Sequence, residues 1–445
     1  MNTACQTSTP VTAAVSRRRF LATTGAAAVA TLAAPAILRA QPKLVLKGVI
    51  IGLGGRGGGA GKDFLAAAEK VGVEAKIVAV ADIFPEKARR GMEHFGLPEE
   101  KCFSGFDSYL KAINEPGVNY VILAAPPGFR PAHFRTCVEA GKHVFMEKPV
   151  AVDGPGCRIM YAAAEESRKK GLKVVAGTQR RHQASYIETI KRIHDGAIGE
   201  IRALRAYWVN GGPIWHRGLK GDTDLERQIH NWYHYIWLCG DHIVEQHVHN
   251  IDVCNWIARA HPVKAWGMGA RQQLGDKPGE IWDNFAVEFE YASGLRMQSY
   301  CGQIKRDFSS VSEAAVGTTG VADPKGIIRP TNGPVWRAPR DEEKEKIGPY
   351  VQEHIDLIEA ILKDAELNEA AQVTDSTLTA IMGREAAYSG SVVEWDDILK
   401  STFQYGPELV YSDPSKMTWG PFRTLKPPMP SQHDIFKNPP AVPTA

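Results

Sequence analysis

From Lys47 to Glu147, apolar runs of strand length alternate with stretches of helical spacing. "LKGVIIG", "AKIVAVAD", "NYVILAA" and "HVFME" are rich in β-branched residues. Between them, "AGKDFLAAAEKV", "PEKARRGMEHFG", "FDSYLKAI" and "RPAHFRTCVEAGK" repeat apolar positions three and four residues apart. Such alternation predicts parallel strands joined by crossover helices, hence an α/β, doubly wound sheet. Further on, "VKAWGMGARQQ", "DNFAVEFEYASG" and "LRMQSYCGQ" alternate with period two around the turn "YASGLR", which predicts antiparallel strands. "YVQEHIDLIEAIL" and "TLTAIMGREAAYSG" predict helices that return to the first domain. At 445 residues the chain exceeds one core. The expected division is a targeting segment over 1–40, a first domain over 44–165, a second over 166–400, and an arm over 401–445. The Pro-rich arm is expected to wrap a neighbour or another domain, or else to be a disordered tail.

The first predicted strand runs into "GLGGRG", where Gly52, Gly54 and Gly57 have the GxGxxG spacing of a dinucleotide-binding turn. Gly52 permits the tight turn, Gly54 lets a pyrophosphate approach the backbone, and Gly57 lets the helix pack on its strand. The helix N-terminus then offers N–H groups to phosphate, so Gly55 and Arg56 join the cofactor set. Asp82 ends the second strand. A carboxylate there accepts ribose hydroxyls and repels a 2′-phosphate, which favours NAD over NADP.

The first 40 residues alter the charge argument. "SRRRFL" precedes an Ala-rich apolar run too short to span a bilayer comfortably, the pattern of a twin-arginine export address. Cleavage is expected after Ala40, although Leu38 is not the small residue such sites prefer. Four of the 53 basic residues (Arg17, Arg18, Arg19, Arg39) and no acid lie there, so the remainder carries 49 basic against 50 acidic residues, net −1. No basic patch argues for nucleic acid, and no stable membrane span is expected after processing. The six cysteines beyond residue 40 are scattered without a CxxC pair and are expected to be buried free thiols.

With the glycine turn, "AAPP" after the next-to-last strand and "EKP" in "AGKHVFMEKPVA" after the last, residues 44–400 resemble the Gfo/Idh/MocA oxidoreductases. The resemblance implies a Rossmann domain followed by an α/β domain with a large open, mainly antiparallel sheet. It also implies a homo-oligomer (dimer or tetramer) formed through that sheet's outer face, and a sugar or polyol substrate. Pro126 of "AAPP" and Glu147 join the cofactor set, and Lys148 would stabilise negative charge on a carbinol oxygen. Arg130 stands where the family often carries histidine. It is assigned to the cofactor set, with an anionic substrate group and a helix cap as its other open roles.

In "GDHIVEQHVHNIDVCNW", the family's acid, histidine and acid fall on Glu245, His249 and Asp252. Offsets of four and three place them on one face of a helix. His249 is the expected general base or acid, since imidazole titrates near working pH. Glu245 would orient it or bind a hydroxyl. His242, Glu245 and His249 share that face, yet "HIVEQHVH" is neither HExxH nor HxxEH, and no metal is expected. Aromatic, amide and imidazole groups nearby suit a carbohydrate. Trp215, His216, Tyr233, His234 and Asp252 are the substrate candidates there, with Tyr207, Asn210, Arg217 and Asn231 as lesser ones. From "QRRHQ" comes Arg180, with Arg181 and His182 beside it at the site mouth.

An exported NAD enzyme finds no nicotinamide pool outside the cytosol, so the cofactor is expected to be loaded before the twin-arginine translocase carries the folded chain to the periplasm. It must then stay tightly bound and be regenerated in place. One reading is hydride transfer between that cofactor and a sugar or polyol. The alternative is redox-neutral glycoside cleavage through transient oxidation at C3 and elimination.

Overall fold

A computed structural model describes residues 44–211, 214, 218, 220–305, 308–339 and 346–436. The twin-arginine segment, Trp215, His216, Arg217 and the last nine residues of the arm lie outside the described residues.

The first sheet contains β1 (Val45–Ile51), β2 (Glu74–Asp82), β3 (Cys102–Ser104), β4 (Tyr120–Leu123), β5 (His143–Met146) and β6 (Val174–Ala176). All are parallel, in the order β3-β2-β1-β4-β5-β6. Helices α1 (Gly55–Val71), α2 (Pro85–Phe95), α3 (Ser108–Ile113), α4 (Arg130–Glu139) and α5 (Gly154–Lys169) make the crossovers. Both faces are covered, which is why the strands read as unbroken apolar runs. The order reverses between β1 and β4, and a crevice opens there at the carboxyl ends of the strands. Two features depart from expectation. The short β3 hides in a stretch without strand periodicity. The boundary at 165 falls inside α5, and "KVVAG" supplies the edge strand β6 of this first sheet; a three-residue apolar run carries no mark of the sheet it will join.

The second sheet has nine strands: β7 (Ile201–Asn210), β8 (Pro262–Ala270), β9 (Asn284–Tyr291), β10 (Arg296–Gln303), β11 (Ser310–Gly317), β12 (Gly320–Asp323), β13 (Ile327–Pro330), β14 (Trp336–Arg337) and β15 (Val393–Glu394). Their order is β14-β13-β12-β11-β7-β10-β9-β8-β15, antiparallel except for the β7–β10 pair. Alternate residues of β9 are buried, as a sheet with one packed and one open face requires. The packed face meets α10 (Val248–Ala258) and the helix Ala370–Ser389, whose Gly383 lies against Phe289 and Val287.

The helix Pro349–Lys363 docks on the first sheet, burying Leu357 and Ile358 with Ile50, Phe64 and Phe145. The described part of the arm packs on its own chain. Phe403, Tyr411, Phe422 and Ile435 enter the main core, and the Trp282 indole donates to the Pro428 carbonyl at 3.0 Å. Among the described residues no helix is long and apolar enough to cross a membrane.

Candidate active site

A cavity of about 970 Å³ runs from the β1–α1 turn to the start of α10. Its floor is the glycine turn. Gly52 has φ +95°, and a Cβ there would meet Ala125 N at 2.4 Å. At Gly57 a Cβ would meet the Gly52 carbonyl oxygen at 1.8 Å, so helix and strand touch backbone to backbone. Gly54 and Gly55 face open space, with nothing among the described residues within 4 Å of an added Cβ. The α1 N-terminus has no side-chain cap and no acid in its first turn, leaving its N–H groups to an anion. The Asp82 carboxylate accepts from Leu53 N at 2.7 Å and Phe84 N at 2.9 Å. The residue lines the cavity. Burial raises its pKa, against Lys87 and these two hydrogen bonds. An open glycine cradle, an uncapped helix and a carboxylate at the second strand's end together fit a dinucleotide.

Arg56 lines the same cavity but is a strut. It pairs with Glu147, and with Asp63 at 2.9 Å, under the Tyr350 ring. Burial works against its charge, yet these carboxylates hold the guanidinium above its usual value. Arg130 is 1 % exposed and donates to the Ala125 carbonyl at 2.7 Å. Its Nε and Nη1 have no hydrogen-bond partner among the described residues, and burial lowers it to about 10 despite Glu147 and Glu245. Pro126 lines the cavity beside it.

At the far end three groups meet. The Lys148 ammonium donates to the Glu245 carbonyl oxygen at 2.5 Å and lies 3.4 Å from Glu245 Oε1. Burial pushes the Glu245 carboxyl up to about 7, with Lys148 opposing. His249 lines the cavity, stacked on Trp208 at 5.9 Å between ring centres. Burial, then the charges of Lys148 and Arg180, hold its imidazole neutral, and its Nδ1 has no hydrogen-bond partner among the described residues. A neutral imidazole beside a fixed ammonium can take a proton where the ammonium stabilises negative charge.

The single helical face expected for Glu245, His249 and Asp252 does not form. The chain makes a short α9 (His242–Glu245), breaks at Gln246 and His247, and resumes as α10. Glu245 and His249 still line the cavity, whereas Asp252 does not. Its carboxylate pairs with Arg181 at 2.8 Å and accepts from Ser376 at 2.8 Å. Asp252 therefore fastens α10 to the helix Ala370–Ser389 and leaves the substrate set. His234 leaves it too: it is fully buried beneath Gly279 and absent from the cavity wall. Of "QRRHQ", Arg180 lines the cavity and pairs with Glu313 at 3.2 Å. Arg181 holds Asp252, and His182 pairs with Asp356 at 2.5 Å and Glu369 at 3.3 Å, both off the cavity wall. Tyr233 lines it, its hydroxyl donating to Gln303 at 2.7 Å.

Sequence reasoning missed Trp208, Gln179, Trp232, Gln246 and Tyr350, all on the cavity wall. The first was within reach. The sequence points to Tyr207, but β7 alternates, and Tyr207 turns outward to stack on Tyr300 at 6.0 Å while Trp208 turns inward.

The family description "Oxidoreductase family, NAD-binding Rossmann fold" matches residues 46–175, and "GFO/IDH/MocA C-terminal domain" matches 186–323. The chain belongs to the Gfo/Idh/MocA oxidoreductase family. Inositol 2-dehydrogenase 3 of Saccharopolyspora erythraea is 27% identical over 340 residues, 75% of this chain and 91% of that relative. The inositol 2-dehydrogenase/D-chiro-inositol 3-dehydrogenase of Lactiplantibacillus plantarum is 25% identical over 240 residues, 53% of this chain and only 60% of that relative. Among solved structures of the fold is the aldose–aldose oxidoreductase from Caulobacter crescentus with glycerol, at TM-score 0.61 and 22% identity, covering 79% of this chain and 100% of that one. Levoglucosan dehydrogenase with NADH and levoglucosan has TM-score 0.62 and 18% identity, covering 79% and 99%. These two likenesses establish the fold that Gfo/Idh/MocA membership already implies.

Proposed function

We propose that this Gfo/Idh/MocA protein is an NAD-dependent oxidoreductase acting on a sugar or polyol hydroxyl. The observation that carries the reading is the meeting of the Lys148 ammonium, the Glu245 carboxyl and the neutral His249 imidazole in the cavity that the glycine turn opens. The turn and the α1 N-terminus would hold the pyrophosphate, and Asp82 the adenosine ribose, which favours NAD over NADP. A bound nicotinamide supplies the hydride acceptor. Lys148 steadies negative charge on the carbinol oxygen, and His249 accepts the hydroxyl proton at its ring nitrogen. Glu245 fixes the lysine through its carbonyl and balances its charge. Trp208, Trp232 and Tyr233 offer ring faces to the C–H patches of a carbohydrate. The inositol dehydrogenases among the relatives, and the glycerol and levoglucosan in the structures of the fold, agree with such a substrate.

The proposal extends to place and assembly. The twin-arginine stretch "SRRRFL" supports export with the cofactor loaded beforehand and tightly held. The open face of the nine-stranded sheet, which exposes Met268, Tyr300 and Val321, is the surface through which a homo-oligomer would form.

One experiment tests the reading and separates it from redox-neutral glycoside cleavage. The protein as isolated is incubated with free sugars and polyols and with aryl glycosides, without added NAD, and bound nucleotide is measured. Ketone formation that depends on an added acceptor supports the oxidoreductase. Aglycone release without net NADH supports the alternative. Protein that neither contains nor binds nucleotide overturns both.

A further inference from the structure

The arm is left unused by the chemistry, yet at Trp419 it passes beside a residue of the nucleotide crevice. Phe106 follows β3 and lines the cavity. It is joined to the end of β2 through Gly105, whose N–H donates to the Ile83 carbonyl at 3.3 Å. It therefore stands next to Asp82, at the end of the cavity where the adenosine half of a dinucleotide would lie. Trp419, from the arm, packs on Phe106 at 4.7 Å and stacks on Phe84 at 5.6 Å between ring centres. Phe84 also stacks on His230 at 4.0 Å, with an interplanar angle of 15°. Its N–H is one of the two bonded to Asp82. Residues from the first domain, the second domain and the arm thus form one aromatic stack around the loop that carries the ribose-binding carboxylate.

The arm is held there by its backbone. Gly420 O accepts from Leu225 N at 3.3 Å, and Arg423 O accepts from Gln228 Nε2 at 3.0 Å. Leu425 N donates to Glu280 at 2.6 Å. Trp419 nevertheless remains 38 % exposed. It is an outer cover that packs on two phenylalanines and keeps part of its surface in water.

We infer that the C-terminal arm is part of the cofactor site: Trp419, acting through Phe84 and Phe106, holds the adenosine end of the crevice closed and slows release of the dinucleotide. Trp419 is a positioning residue, since it does not itself line the cavity. The inference rests on the NAD reading above and deepens it, because an enzyme that keeps its cofactor needs a slow exit.

The test follows NADH release from preloaded full-length protein, with freed NADH consumed by lactate dehydrogenase and pyruvate. Trp419→Ala should speed release about tenfold, the scale of a lost aromatic pair. Trp419→Phe should stay close to wild type, and Phe106→Leu, cut from the cavity side, should speed release as well. The affinity for AMP should fall with Trp419→Ala while that for nicotinamide mononucleotide does not, a split that general loosening would not produce. Unchanged release in both Trp419→Ala and Phe106→Leu overturns the inference, as does equal weakening of the two mononucleotides. If the wild-type protein binds no NADH at all, the functional reading falls with it; binding with unaltered release removes this inference alone.

Discussion

Replacing Glu245 by Gln tests the electrostatics of the site without removing its shape. The carboxyl is 8 % exposed and pushed from 4.5 up to about 7, burial being the main cause and the Lys148 ammonium at 3.4 Å opposing it. At about 1.4 kcal/mol per pH unit, that separation corresponds to about 3 kcal/mol. The folded chain binds this proton more tightly than the unfolded chain does. The stabilisation is therefore complete below pH 4.5, declines as pH rises toward 7, and is gone above it. Asp241 and Glu280, which burial also pushes up to about 7, are present in both proteins and cancel in the difference. Urea unfolding of wild type and Glu245→Gln from pH 5 to 8, at matched m-values, isolates the group. Wild type should lose about 2–3 kcal/mol relative to the variant across that range. A stability difference that stays flat with pH would refute the reasoning. So would a downward shift of the Glu245 midpoint in Lys148→Met, since removing the ammonium must raise it further.

Lys148→Ala should lower kcat about 10²–10³-fold while NADH binding, followed by fluorescence, persists; unaltered turnover removes the lysine from the mechanism. His249→Asn should cost about 10²–10⁴-fold and abolish any pH dependence of kcat due to imidazole, and a retained profile would assign the proton elsewhere. The glycines separate fold from binding. Gly57→Ala drives a methyl into the Gly52 carbonyl and should lower the melting temperature, whereas Gly54→Ala enters open space and should melt like wild type but bind NAD more weakly. Equal melting of the two would contradict the packing described. Asp82→Ala should shrink the preference for NAD over NADP by about tenfold or more, with a stability cost of about 1–3 kcal/mol from the unpaired Leu53 and Phe84 N–H groups. An unchanged affinity ratio discards the ribose role.

Much of this molecule is written locally. Period-two and period-3.6 patterning marks the strands and crossover helices, and the glycine spacing marks the turn, because each depends on neighbours a few residues apart. Lys148 and Asp82 are legible for the same reason: Asp82 ends one parallel strand and Lys148 lies two residues past the end of another, and strand ends at a reversal in strand order open on the crevice. The tertiary structure decided what long-range partners decide. Asp252 lies three residues from His249, yet its lone pairs are filled by Arg181, 71 residues away, and Ser376, 124 away, so it became a fastener. Trp208 and not Tyr207 faces the cavity because pairing with β10 and β11 fixed the register, and a shift of one residue exchanges the faces. The arm, without any periodicity to read, found its place only through rings and carbonyls contributed by distant parts of the fold. Composition alone cannot assign those contacts, since an apolar or hydrogen-bonding group is satisfied by whichever partner the completed fold brings near.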